Sequence, residues 1–389
     1  MSLDDTLLDE PDELVEIDAQ RMLASTASAG AAIRSTLDAD DGHALGPLVE
    51  QGRPRSLCVV GAGGSSAPGE VLAAVAGRGS PLPVFALGGP TLPGWVGPMD
   101  LVVAVSASGR TPEILTFVSE AQRRGSSVLG IGAADSALQE VCSNSRGVSF
   151  WPVSRLSPLQ DVQKARSLLW ALSAPLLLLA GELGVVADAR EGLAAAADRL
   201  DARAMQCGVE VLTPENPAKD LSIHLTSGLP LVWGSGDIGA VAARRLGRQL
   251  AENADWPSVV GVLPEGARTH AGLLGGPWAG PASEEDIFRD RTLDSEPQPR
   301  LRAVVVRDAM EHPDTATIAD AVVQTCERLD VPYQSIASTS GHAIEQLADL
   351  VGLVDFASIY TALMQRRDPS RSAEEIDPRF GRWRRTEGM

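Results

Sequence analysis

The chain has 389 residues, enough for two domains because single cores seldom grow beyond about 250–300 residues, and it is 44% hydrophobic but only 4% aromatic, so its cores are built from Ala, Leu and Val. The 51 acidic residues outnumber 33 basic ones, and a formal net charge of −18 opposes nonspecific binding to nucleic acid or to an anionic membrane. Any phosphate bound by this chain has to be held by local geometry.

The first twenty residues carry eight acidic side chains and no basic one, unlike a signal peptide, and predict a solvated acidic leader. A helix is predicted from about Gln20 to Leu37. Short apolar runs at 56–60, 83–87, 101–105, 127–131 and 148–152 then read as strands alternating with helices, the pattern of a doubly wound parallel sheet. The most apolar stretch, LLWALSAPLLLLAG at 168–181, is short for a membrane span and contains Pro175, so it predicts a buried helix. An Ala-rich helix near 187–206 leads to TPENP at 213–217, a predicted domain boundary.

After that boundary the pattern restarts. LPLVW at 229–233 reads as a strand, GSGDIG at 234–239 as a glycine turn, and 240–254 as an amphipathic helix, so the two halves look like versions of one unit. Further strands are predicted at 258–263, 301–306 and 333–337. Residues 276–300, rich in Gly, Pro and acidic residues, predict a long surface excursion. The last 24 residues carry seven arginines, including Arg382, Arg384 and Arg385, and read as a mobile or partner-docking tail. The chain is thus expected to be an α/β protein of two doubly wound parallel-sheet domains (αβα sandwiches). The predicted bounds are a leader and helix at 1–40, domains at 41–210 and 211–365, and a tail at 366–389. Cysteines at 58, 142, 207 and 326 form no CxxC pair, so neither a zinc site nor a disulfide framework is indicated, and a soluble cytoplasmic protein is expected.

The stretch LVVAVSASGRTPEIL at 101–115 carries the most chemistry. A buried strand enters a loop holding Ser106, Ser108 and Thr111, and a helix opens with Thr111 as expected N-cap and Pro112 at its first position. Gly109 permits the sharp turn. Free amides and the positive end of the helix dipole attract an anion, and the three hydroxyls add donors; the alternative is an ordinary turn whose hydroxyls only cap the helix. A second loop, Gly61 to Ser66, follows the strand SLCVV and brings Gly63, Gly64 and Ser65 to the same sheet edge, which favours a phosphorylated ligand shared by both loops. The literal GxGxxG of Gly234, Gly236 and Gly239 lacks the acidic residue that a dinucleotide ribose requires about 20 positions later, since the chain is still helical through Glu252. Those glycines are expected to serve close backbone approach to a smaller ligand or to the facing domain.

The succession VGAGGSS, VSASGRT, RQLAENADWPSVVGVLPEG and VGLVDFASIYTAL resembles the sugar isomerase (SIS) superfamily over most of residues 40–365, and most closely its bifunctional phosphoglucose/phosphomannose isomerase branch. The resemblance implies that Gly63, Gly64, Ser65, Ser106, Ser108, Gly109 and Thr111 bind a phosphosugar. It also implies that Glu252, in the E-N-A segment, is the base of an aldose–ketose isomerisation of hexose 6-phosphates through an enediol(ate). No metal or organic cofactor is implied, and a homodimer with its site near the subunit interface is. A carboxylate in a partly desolvated pocket becomes a better base, whereas most helical glutamates simply face solvent.

Two positions depart from the pattern. The ring-opening His expected after L-P-E falls at or beside Arg268, with His270 as the substitute, and a Lys expected in the last helix is replaced by Tyr360. The phosphate-contacting Arg of the family has three candidates here: Arg155, Lys164 and Arg166. Two functions are therefore open: an isomerase with Glu252 and His270 as its catalytic residues, or a non-catalytic sugar-phosphate-binding regulator that has lost its ring-opening groups.

Overall fold

A computed structural model describes residues 3–40, 44–89, 91–143, 147–153, 165–279 and 300–371. The chain packs as two units. One comprises Gln20–Ala204 with His342–Ala348; the other comprises Met1–Ala19, Met205–Gly341 and Asp349–Pro369.

The first unit is built on a parallel sheet of β1 (Ser56–Gly61), β2 (Val84–Leu87), β3 (Asp100–Ser106), β4 (Ser127–Ala133) and β5 (Val148–Val153). Its spatial order is β2-β1-β3-β4-β5. Every residue of β3 is buried, as an uninterrupted apolar run in a sheet covered on both faces requires. The helix Pro112–Arg123 returns across the sheet and buries Ile114, Phe117, Val118 and Ala121, spaced three and four apart on one stripe. The apolar helix Leu169–Glu182 buries every residue from Leu169 through Ala180, Pro175 included.

The second unit repeats the plan on β6 (Leu229–Ser235), β7 (Val259–Val262), β8 (Leu301–Arg307) and β9 (Tyr333–Ala337), in the order β7-β6-β8-β9. Register pairs Trp233 of β6 with Gly261 of β7 and with Val305 of β8. The helix Ala343–Leu363 is apolar and long enough to cross a membrane by composition, yet its apolar stretch is buried inside the protein and only its first turn, at Ala343 and Glu345, is partly exposed.

Two expectations about the N-terminus need correction. The helix expected from Gln20 to Leu37 is two helices, Met22–Ala27 and Ala29–Ala39, broken at Ser28, whose hydroxyl donates to the Ser25 carbonyl at 2.7 Å. Nor is the acidic leader merely solvated: Leu7, Leu8 and Leu14 are buried, and the Asp9 carboxylate accepts from the Thr213 amide and hydroxyl, both at 2.8 Å. Those two bonds hold the Asp9 carboxyl below the usual carboxylate range. Arg366 pairs with both Asp4 and Glu13. The density of charge hid three leucines that needed a core. The excursion expected at 276–300 falls largely, and the tail arginines Arg382, Arg384 and Arg385 wholly, outside the described residues.

Candidate active site

In the first unit the order β2-β1-β3 reverses direction between β1 and β3, and the loops following those strands flank the resulting crevice, where open α/β sheets take ligands. The crevice is lined by the two loops singled out in the sequence. The Ala107 amide donates to the Ser65 hydroxyl at 3.2 Å, which ties one loop to the other across a separation of 42 residues. Ser65 and Ser106 are buried and Ser108 is exposed. Ser106 Oγ and Thr111 Oγ1 lie 2.9 Å apart and share one hydrogen bond, so one of the two protons stays available to a ligand.

Thr111 holds the N-cap position of the helix Pro112–Arg123, but its side chain caps no amide, contrary to expectation. That removes helix capping as the reason for its hydroxyl. Ser108 Oγ accepts from the Arg110 amide at 3.2 Å. Gly109 has φ +62° and a Cβ there would lie 2.1 Å from Ser136 Oγ, so the turn admits only glycine. Gly63 and Gly64 open the short 3-10 turn Gly63–Ser66. Against that turn packs the turn Ala165–Ser167, which carries Arg166. Arg166 is buried, and its Nη2 donates to the Arg371 carbonyl at 2.9 Å. Of the three basic candidates, Arg155 and Lys164 lie outside the described residues.

Glu252 and His270 belong to the second unit. Glu252 sits near the end of the helix Gly236–Ala254, whose buried positions Ile238, Ala242, Leu246, Leu250 and Asn253 form one stripe. Glu252 lies off that stripe, exposed, with Arg244 and Arg248 at four-residue spacing before it. Its neighbour Asn253 is buried, and Asn253 Nδ2 donates to Ser358 Oγ at 2.8 Å. His270 ends the short helix Glu265–His270, with its ring packed toward Trp233 at 6.2 Å between centroids.

The model of the bacterial phospho-glucose isomerase C-terminal SIS domain matches residues 214–377. A bifunctional phosphoglucose/phosphomannose isomerase of Caldicellulosiruptor bescii is 24% identical over 314 residues, covering 81% of this chain and 85% of the relative. Among solved structures, a hypothetical protein from Thermus thermophilus superposes with a TM-score of 0.67 at 12% identity, over 98% of this chain and 95% of the other. The tagatose-6-phosphate ketose/aldose isomerase of Escherichia coli gives 0.54 at 17% identity over 92% and 93%. The chain is thus similar to sugar isomerase (SIS) proteins, by a SIS-domain match in its second half and by the relative aligned along most of its length.

Two side chains that stand where the resemblance places catalytic groups are committed elsewhere. Arg268 is exposed and pairs with Glu265 one turn earlier in its own helix. Tyr360 is fully buried, and its hydroxyl donates to the Cys207 carbonyl at 2.7 Å. Burial pushes the Tyr360 phenol well above its ordinary value, so it stays protonated. Lys219, also buried, stacks its ammonium 5.6 Å from the Tyr360 ring and donates to the Val209 and Val211 carbonyls at 2.9 and 2.6 Å. Residue 360 is core, not catalytic machinery.

The glycine turn of the second unit also differs from expectation. β6 and β8 meet at the same kind of reversal as β1 and β3, yet the seat that a ligand anion would take there is filled by the protein's own Asp308. Gly236 has φ +76°, and a Cβ on it would lie 1.9 Å from Asp308 Oδ2. The carboxylate is buried and accepts from the Ile238 and Met310 amides at 3.2 and 2.9 Å. Burial raises its pKa against those two bonds, and Glu311 and Asp237 add to the rise. Glu311, bonded to Ser235 Oγ and ion-paired with Arg307, sits beside it. The close approach is therefore to a carboxylate of the same unit rather than to a ligand or a facing domain. The signal was present in the sequence: an acid follows β8 at the step where Ala107 follows β3.

Proposed function

We propose that this protein is an aldose–ketose isomerase of hexose 6-phosphates, interconverting glucose or mannose 6-phosphate with fructose 6-phosphate. The observation that carries the reading is the pair of glycine and hydroxyl loops joined by the Ala107–Ser65 hydrogen bond at the β1/β3 reversal. The phosphate takes the amides and hydroxyls of Gly63, Gly64, Ser65, Ser106, Ser108, Gly109 and Thr111, because a highly acidic chain offers an anion little else. Glu252 removes the proton from C2 of the open-chain aldose, leaving an enediol(ate), and returns it to C1. His270 serves ring opening. The name of the Caldicellulosiruptor relative supports the choice of sugar, and the E-N-A segment at the end of the helix Gly236–Ala254 supports the choice of base.

One observation favours a second reading. Tyr360 and Arg268 are engaged in structural contacts, so a protein that binds sugar phosphates without turning them over, as a regulator, is also supported. Calorimetry with glucose, mannose and fructose 6-phosphates, run beside a coupled assay for their interconversion, separates the two. Binding with turnover supports the isomerase, binding without turnover supports the regulator, and no binding of any of the three overturns both. Sedimentation tests the homodimer that the resemblance implies.

A further inference from the structure

We infer that the outer edge of β5 forms a second ligand site, for a flat, uncharged heterocycle that carries an N–H donor and an acceptor on neighbouring ring atoms. The site is a cavity of about 470 Å³ between β5, the helix Ala137–Ser143 and the short helix Gly46–Val49. Small ligands occupy cavities of that size. β5 is the last strand of its sheet, two places beyond β3, so the cavity is distinct from the crevice between β1 and β3.

Gly147, Val148, Ser149 and Phe150 line the cavity in unbroken succession. A cavity over one face of a strand meets alternate residues, so this one runs along the strand edge as well. Register decides what that edge offers. The Val128 amide donates to the Gly147 carbonyl, and the parallel pairing of Val128–Ala133 with Val148–Val153 turns the N–H and C=O of Ser149 and Trp151 toward β4. Those of Val148 and Phe150 point the other way, where no strand pairs with them among the described residues. The Val148 carbonyl and the Phe150 N–H thus stand side by side as an acceptor and a donor. Pro152, next along the same edge, has no N–H, so the ladder cannot continue, and a peptide strand or a second copy fits poorly.

The walls set the rest of the chemistry. Leu48, Phe150 and Cys142 supply apolar surface of the kind that a ring face covers. Phe150 and Cys142 close over Gly130, where a Cβ would lie 3.0 Å from Phe150 Cδ2 and 2.7 Å from Cys142 Sγ. Burial pushes the Cys142 thiol up to about 11, so it stays neutral. No charged side chain lines the cavity among the described residues, and an ion there would lose hydration without gaining a counter-charge. Gln51 spends both ends of its amide, on the Pro47 carbonyl and the Ser127 hydroxyl. Gln139 accepts from the Asp135 amide through Oε1 and keeps its NH2 group as a further donor to a ligand.

The test is nuclear magnetic resonance on the full chain labelled with nitrogen-15 in Phe, titrated with uracil, a neutral ring whose N–H and C=O groups adjoin. The Phe150 amide signal is assigned by its loss in Phe150→Leu. The expected result is a saturable shift of that signal with a Kd of about 10 mM or tighter, and binding at least about tenfold weaker for dimethyluracil, in which both ring N–H groups are methylated. Ser143→Trp, at the exposed end of the helix that lines the cavity, should fill it and abolish the shift. No saturable shift with uracil, equal affinity for dimethyluracil, or an unchanged response in Ser143→Trp overturns the inference. Should Ser143→Trp fail to fold, the two wild-type titrations decide. None of these readouts involves a sugar phosphate, so loss of the isomerase reading leaves this inference standing, and the reverse holds.

Discussion

Arg245 grips Asp355 with two buried hydrogen bonds, Nε to Oδ1 at 2.6 Å and Nη2 to Oδ2 at 2.7 Å, and so fastens the helix Gly236–Ala254 to the helix Ala343–Leu363. Two turns further on, Asn253 donates to Ser358 Oγ, and Ser358 donates to the Asp355 carbonyl at 2.7 Å. The segment that carries Glu252 is therefore locked to the last helix along its buried stripe, while Glu252 itself is left at the surface.

Removing one partner of the pair strands the other as a buried charge. Asp355→Leu should cost about 3–5 kcal/mol, and the double variant Arg245→Met/Asp355→Leu should cost less than that single one. Urea unfolding of the three proteins checks this; a double variant worse than the single would mean the ion pair is itself a net source of stability.

Ser358→Ala removes the acceptor of Asn253 but no charge. Stability should fall by about 1–3 kcal/mol, and if the E-N-A segment carries the base, kcat should fall while KM holds. Steady-state kinetics on fructose 6-phosphate reads the split, and an unchanged kcat would detach Asn253 from the chemistry.

Glu252→Gln should abolish turnover with little loss of sugar-phosphate affinity, because the amide keeps the shape and loses the base. Wild-type turnover in that variant would remove Glu252 from the mechanism.

Ser106→Ala and Thr111→Ala each delete half of a shared hydrogen bond in the crevice. Affinity for glucose 6-phosphate should drop about tenfold, the equivalent of roughly 1.4 kcal/mol, with the melting temperature nearly unchanged. Calorimetry that finds both affinities intact would make these hydroxyls structural.

Two buried aspartates should drive stability in opposite directions with pH. Burial opposes the charge of Asp100, at the start of β3, but Arg55, Ser56 and the Gly97 amide outweigh it and hold its pKa below the ordinary 3.8. Its contribution is complete above that value and is lost as pH falls through the lower, folded one. Asp308 is raised by burial, so the folded state holds its proton more tightly than the unfolded chain does. Its contribution is greatest below 3.8 and is lost as pH rises through its folded value. Measured as unfolding free energy against pH, wild type should lose ground to Asp100→Asn on acidification and gain ground on Asp308→Asn. Parallel curves for all three proteins would contradict both assignments.

Short runs of Val, Leu and Ala placed each strand within two residues of its observed start, and the central strands β1, β3, β4, β6 and β8, buried along most of their length, left the plainest apolar signature. Local chemistry likewise marked Gly109 and the hydroxyls around it. It could not show that Thr111 spends its side chain on Ser106 instead of on the helix, nor that three leucines would draw an acidic leader into a core.

What the linear chain determined was the elements and the residue types able to hold an anion, because hydrophobic period and turn chemistry act between near neighbours. Strand order was decided only by the tertiary structure: it brought Ser65 to the Ala107 amide, and it sealed one of two like turns with Asp308 while leaving the other lined by hydroxyls. Those outcomes depend on contacts between residues 42 and 70 positions apart, where the fold alone determines which polar group is buried beside which.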